Sequence, residues 1–245
     1  METIVNAIVL RAVDYKENDK ILTLFSLEKG IIAAGAKGVK KASAKLRFCA
    51  EPFCFAEYVL AEKNGRFTVI QASEHESFYN IRLDIKKYYA AACVLEFVLG
   101  FLPESVESPK LFMNTVNAFK KLSFSAAESI IILEKYILDS LPLCGYALNM
   151  NGCGICGKEI SDRVFLDAAE GFCVCAECRK QSDVEFNIKT YKLLNNLNTS
   201  DEEDVENITA EKVIENKALK LLLYFITVCS GVKITAAETL LSAEI

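Results

Sequence analysis

Short alternating runs of apolar and polar residues dominate the first eighty positions. Ile4–Val13 is rich in β-branched and apolar types, and Lys20–Leu27 follows the polar break Tyr15–Asp19. Ile31–Ala36 resumes after the turn signal Glu28-Lys29-Gly30. Phe53–Ala61 alternates, and Phe67–Ala72 follows it across Glu62-Lys63-Asn64-Gly65, where Asn-Gly tolerates two positive φ angles. About five short strands with no long helix between them predict a small closed barrel, with the OB-fold as the leading candidate for a nucleic-acid protein.

The period changes near Phe78. Ile81–Leu102 carries apolar residues on nearly every face, as a buried helix does, and Pro103 ends it. Leu111–Leu122 predicts a second helix. Ser125 and Glu128 have capping-box spacing and predict the start of a third, running through Ile130–Leu138. Asn187–Leu197 and Ala210–Ser230 return to the helical pattern. The reading is an α+β multidomain chain. Residues 1–78 form an OB-fold nucleic-acid-binding domain, and 79–245 an all-α domain with a zinc-binding insert at about 151–180.

Composition narrows the class. The chain has 245 residues, 52% of them hydrophobic, which is ample for a core. No basic region precedes an apolar run at the N-terminus, so no secretory signal is read. The apolar stretches Tyr88–Leu102 and Leu221–Val232 are short for a membrane span. Ten cysteines without an export signal suggest a reducing compartment. The net charge of −5 is unevenly spread. Residues 1–80 hold 11 Lys/Arg and 10 Asp/Glu, and residues 81–245 hold 17 and 23. Within the first region Lys37, Lys40, Lys41, Lys45 and Arg47 stand together with no acid among them. Local fields decide where a phosphate backbone is attracted, so this loop is the candidate nucleic-acid contact. The bland reading is a solvated charged face. Against it stand the small residues Gly38, Ala42, Ser43 and Ala44, which permit close backbone approach. The flanking rings Phe25, Phe48, Phe53 and Phe55 are potential stacking partners, although most are expected in the core.

The second chemical feature is Cys153-Gly154-Ile155-Cys156, followed after eighteen residues by Cys175-Ala176-Glu177-Cys178. Two C-x-x-C pairs at this separation point to a structural zinc site. Gly157 permits the positive φ that turns backbone N–H groups toward the sulfurs. Lys158, Arg179 and Lys180 lie near enough in sequence to offset its negative charge. Four sulfur ligands leave no open coordination position, which argues against a zinc hydrolase. Cys173 is an alternative third ligand, and thioredoxin-like redox chemistry is the competing reading of the pairs. The single histidine, His75, has no partner carboxylate at motif spacing. The acids Asp14, Glu17 and Asp19 read as solvent-facing turn residues. No P-loop, G-x-G-x-x-G or Ser-His-Asp set is present, so the chain does not read as an enzyme.

The order of these features resembles the RecO family of bacterial recombination-mediator proteins. The resemblance rests on Ala12–Ile21, Leu24–Gly30 and Ala36-Lys37-Gly38-Val39-Lys40-Lys41, then on Leu46–Phe53 with its Pro52-Phe53. It continues in Leu143-Cys144-Gly145-Tyr146 and the cysteine pairs, and so spans essentially the whole chain. Where relatives commonly carry Gly-Gly before the second pair, this chain has Glu170-Gly171 and then Phe172-Cys173-Val174. The resemblance implies a cytoplasmic, nucleoid-associated bacterial protein that binds single- and double-stranded DNA and anneals strands. It also implies partnership with RecR and with the acidic C-terminal tail of the single-stranded-DNA-binding protein, in loading the RecA recombinase at gaps. Rival readings are a zinc-ribbon RNA-binding or transcription-associated factor, a cofactor enzyme using the helical core, and a protein-only adaptor.

Overall fold

The computed structural model describes residues 2–41, 43–44 and 46–243. Five strands, β1 (Glu2–Tyr15), β2 (Asp19–Ser26), β3 (Gly30–Ala36), β4 (Phe55–Lys63) and β5 (Arg66–Glu76), close into a barrel in the order β1-β2-β3-β5-β4. Neighbours run antiparallel except β3 and β5, which pair in parallel through Ala34 and Phe67, and β4 pairs with β1 to close the ring. This is the OB-like barrel that the alternation predicts. Asn64 and Gly65 both take positive φ (52° and 71°) in the two-residue turn between the paired residues Lys63 and Arg66.

Alternation gives the barrel two buried faces over part of its wall. Val5, Ala7 and Val9 of β1 fill the lumen with Leu22, Leu24, Tyr58 and Leu60. Ile8 and Leu10, offset by one residue, point the other way and join the core of the helical domain. A short 3-10 turn, Phe48–Ala50, caps the lumen, and the buried Tyr58 hydroxyl donates to the Cys49 carbonyl at 2.8 Å.

Six helices follow: α1 (Ile85–Phe101), α2 (Pro109–Phe124), α3 (Ser129–Ser140), α4 (Ile188–Thr199), α5 (Lys212–Ser230) and α6 (Ala236–Ala243). Asp84 caps α1 by accepting from the N–H groups of Lys86 and Lys87, and Asn187 caps α4 by accepting from Lys189. The expected Ser125 cap is displaced. The Ser125 hydroxyl accepts from Ala127 in a local turn, Glu128 takes the N-cap position, and α3 starts at Ser129.

Rings join the two parts. Phe112 of α2 lies edge-on to Phe25 (5.3 Å) and Phe55 (5.8 Å), and Phe119, two turns further along the same face, meets Phe53 (5.7 Å) and Phe78 (5.6 Å). Three of the rings expected beside the basic loop as possible stacking partners therefore cement the barrel to the helices, and only Phe48 is exposed. A second weld is backbone. Ile31 bridges Glu104, the Ser105 N–H donates to the Ile31 carbonyl at 3.0 Å, and Gly30 sits so close that a Cβ there would lie 2.1 Å from the Val106 oxygen.

The helical domain also holds a small antiparallel sheet absent from the sequence reading. β6 (Val164–Asp167) lies between β7 (Phe172–Cys175) and β8 (Val184–Phe186). The domain is thus helical with a three-stranded insert, and not all-α. Strands of three or four residues are too short to show a period of two.

Candidate nucleic-acid interface and metal centre

The basic loop is tethered at three levels. Val39 is buried and pins its middle to the barrel. The Gly38 N–H donates to Asp19 Oδ1 at 2.8 Å with φ at +68°, and the Lys40 N–H donates to the Asn18 carbonyl at 3.1 Å. The Lys40 ammonium meets Asp14 Oδ2 at 2.7 Å and, by this hydrogen bond first, holds the Asp14 carboxyl below its usual range. Two of the acids at the β1–β2 turn, Asp14 and Asp19, therefore clasp the loop, while Glu17 is exposed as expected. Beyond Lys40, N–H donations from Lys41 to Gly38, from Ala44 to Lys41 and from Arg47 to Ala44 carry the chain in consecutive turns. At the far end Lys20 donates to the Ala50 carbonyl and pairs with Glu51 at 2.8 Å.

The five cations consequently divide. Lys40 is engaged by Asp14. Lys37, Lys41 and Arg47 are exposed and, among the described residues, form no ion pair. Lys45 lies outside the described residues. Lys37, Gly38, Ala44 and Leu46 border a shallow depression whose other wall is Ile70 and Ala72 of β5. Sequence reasoning passed over the apolar outer wall next to this loop, where Val13 and Ile21 are cross-strand partners and both exposed. Their signal is an apolar residue at an outward position of a strand that otherwise alternates. His75 has partners after all. Its Nε2 lies 2.8 Å from Asn6 Oδ1, and its ring packs on Phe55 at 4.7 Å.

The four cysteines converge. The sulfurs of Cys153, Cys156, Cys175 and Cys178 all lie within 4.8 Å of one another, and those of Cys156 and Cys175 are 3.9 Å apart. A tetrahedral zinc with Zn–S bonds of about 2.3 Å needs S···S edges of about 3.8 Å, so the donor set fits a thiolate-bound metal in both size and softness. The local fold explains the convergence. Gly157 takes φ of +73° and donates to the Cys153 carbonyl at 2.8 Å, while the Gly154 N–H reaches the Cys173 carbonyl at 2.8 Å. Any side chain at Gly154 would collide with the Phe172 ring, at 2.5 Å from an added Cβ. Burial acts to raise the Cys153 thiol, yet backbone amides of Cys156, Cys175 and Ile155 outweigh it and draw it down to about 6. Tyr191 of α4 ties the turn to the helices, donating to the Met150 carbonyl at 2.6 Å and accepting from the Gly152 N–H.

Cys173 stands outside this group. It is fully buried in β7, and burial pushes its thiol up to about 12. Neither cysteine pair opens a helix, as a thioredoxin-like site requires. Of the three nearby cations, Lys158 faces the sulfurs and Glu177, its ammonium raised by Glu177 and then by Cys156 and Cys175. Lys180 turns to Asp167 at 2.7 Å, and Arg179 lies over the Phe165 ring. No helix among the described residues is long and apolar enough to cross a membrane.

An OB-like barrel bearing a clasped basic loop, fused to a helical domain with a four-cysteine centre, defines a two-part class of protein. Residues 1–78 match the family model "Recombination protein O N terminal", and residues 82–235 match "Recombination protein O C terminal". The chain belongs to the RecO family. It is 30% identical over 222 residues to the DNA repair protein RecO of Caldanaerobacter subterraneus subsp. tengcongensis, covering 90% of each chain. It is 28% identical over 221 residues to that of Clostridium novyi, covering 90% of this chain and 86% of the relative. With the protein of Desulforamulus reducens it shares 31% identity over 174 residues, which are 71% of this chain and 67% of the relative.

Proposed function

We propose that this chain is a non-enzymatic recombination mediator. It binds and anneals single-stranded DNA and, with RecR and the acidic tail of the single-stranded-DNA-binding protein, helps load the RecA recombinase onto gaps. The observation that carries the DNA reading is the exposed, unpaired set Lys37, Lys41 and Arg47 on a loop whose backbone is fixed to the barrel. Annealing needs no reacting side chain. It needs enough neutralisation for two like-charged strands to approach, and contacts weak enough to release the duplex. Three free cations on a small loop meet both conditions.

The four cysteines hold zinc in this reading, as a brace for the helical domain. The chemistry that zinc supplies is the joining of four thiolates. Cys153, Cys156, Cys175 and Cys178 fill its shell and leave no site for water activation. The test is strand annealing measured with and without the single-stranded-DNA-binding protein and its isolated tail peptide. Annealing by the wild type, its loss when Lys37, Lys41 and Arg47 are changed to Ala, and stimulation through the tail support the proposal. A protein that anneals equally well without those cations sinks the loop assignment, and a stronger preference for single-stranded RNA over DNA in competition sinks the repair reading.

A further inference from the structure

The burial of Phe25 and Phe53 and the packing of Phe55 on Phe112 leave the basic loop with charge and only one exposed ring of its own, Phe48. Charge alone holds a phosphate chain. Single-strand binding also draws on aromatic faces for unstacked bases. Exposed rings do occur on the segment that follows the barrel. Between Tyr79 and Tyr88 the chain leaves four large apolar side chains in solvent: Tyr79 (61% exposed), Leu83 (67%), Ile85 (61%) and Tyr88 (40%). All four fall within ten residues of chain.

The position of this segment is fixed relative to the loop. Phe53 lies six residues beyond Arg47, and its buried ring is flanked by the segment. Tyr88 meets it edge-on at 5.4 Å, and the Arg82 guanidinium lies over it at 5.7 Å while donating to the Pro52 carbonyl. The stretch that follows the basic loop and the start of α1 therefore meet at Pro52-Phe53. The charge there is positive. Arg82 and Lys87 stand on the segment beside one acid, Asp84, whose carboxylate is committed to the N-terminal amides of α1. The Arg82 N–H groups reach carbonyls of Ser77 and Pro52, so its charge is positioned without being neutralised.

We propose that Tyr79 and Tyr88, with Arg82 and Lys87 beside them, form a second binding element for single-stranded DNA. A strand whose phosphates lie on Lys37–Arg47 continues past Phe48 onto the junction, where its bases stack on the two tyrosines. The occupant is chosen by charge complementarity together with free aromatic faces. An apolar protein partner would leave the charges of Arg82 and Lys87 facing it without use. The inference rests on the DNA-binding reading of the loop and extends it from a charged patch to a track with two kinds of contact.

The chain contains no tryptophan, so a single substitution creates a clean reporter. Full-length Tyr79→Trp and Tyr88→Trp are each titrated with oligothymidylates of increasing length, with anisotropy of a labelled strand as an independent measure of binding. The expected result is saturable quenching of the tryptophan that sets in only with strands long enough to span loop and junction. Tyr79→Ala and Tyr88→Leu should each weaken binding of the long strands by about 5- to 150-fold, with no change in the log–log salt slope. Tyr88→Phe should keep wild-type affinity, which separates loss of a ring from loss of the fold around Phe53. If the loop variants Lys37→Ala and Lys41→Ala weaken binding while both reporters stay unquenched and the tyrosine variants bind normally, the junction is overturned and the loop stands. If the tyrosine variants weaken binding and the loop variants do not, the junction stands and the loop assignment falls. Wild-type protein that binds no strand at all overturns both.

Discussion

The Lys40 ammonium and the Asp14 carboxylate meet at 2.7 Å across the gap between the basic loop and the β1–β2 turn. One of the cations that a charge count assigns to DNA is thus already answered from within the chain. The pair is exposed enough that its worth to stability is small. Its effect on binding is larger in proportion, because a counterion supplied by the protein competes with a phosphate. Asp14→Asn should strengthen DNA binding and steepen the log K against log salt slope by about 0.7 to 0.9, one phosphate contact. Lys40→Ala should flatten the slope less than Lys37→Ala or Lys41→Ala. Equal slopes for the three alanine variants would contradict the division of the loop into clasped and free charges.

Gly30 gives a stability prediction with an internal control. Its φ is +64° and an added Cβ would press on the Val106 backbone, whereas Gly65, at φ +71°, faces open space. Gly65→Ala should cost about 1 kcal/mol, the strain of a left-handed backbone alone. Gly30→Ala must in addition separate the β2–β3 turn from the segment after α1, and should cost about 3 kcal/mol or more. Chemical denaturation of the two variants side by side measures the difference, and similar losses would mean that the contact at Val106 yields easily.

Metal content separates the cysteines. The wild type should carry stoichiometric zinc, and Cys153→Ser and Cys178→Ser should each lose it and lower the denaturation midpoint. Cys173→Ala should keep the zinc, since its sulfur lies outside the group. Elemental analysis of the purified proteins decides this, and a zinc-free wild type would remove the metal centre altogether.

Glu134 on α3 is fully buried, and burial, reinforced by Glu215 on α5, pushes its carboxyl well above the ordinary range, with only the Leu219 backbone amide acting the other way. A folded-state value above the unfolded one means that the folded chain binds this proton more tightly. Its contribution is complete below the unfolded carboxyl value, about 4.3, and is lost as pH rises toward the raised folded value. Glu134→Gln should remove that decline, so that stability measured from mildly acidic to neutral pH falls less steeply than in the wild type. An unchanged pH profile would show that Glu134 is not the group responsible.

Where a signal is local, the sequence displays it. The barrel strands follow from period-two alternation and from Asn64-Gly65, and Asn187 marks the start of α4. The cysteine turns follow from spacing and from Gly157. Where the deciding partner is distant, the sequence is silent. Asp14 and Asp19 find their roles 26 and 19 residues away, at Lys40 and Gly38. Phe25 and Phe53 look like any ring beside a charged loop until α2 brings Phe112 and Phe119 against them. Ser125 and Glu128 fit a capping box, yet Ser125 makes a shorter local turn that satisfies its hydroxyl first. β6 and β8 run for four and three residues, below the length at which alternation distinguishes a strand from any apolar fragment.

Ile8, Phe25 and Phe53 of the barrel belong to the same hydrophobic cluster as α1, α2 and α3. Among the described residues the halves share one core, so under the proposed function a strand held on the loop and a protein docked on the helices would keep one set spacing and one set angle. A mediator built this way would work as a jig, holding two cargoes in a single relative pose and leaving the order of hand-over to which contact releases first.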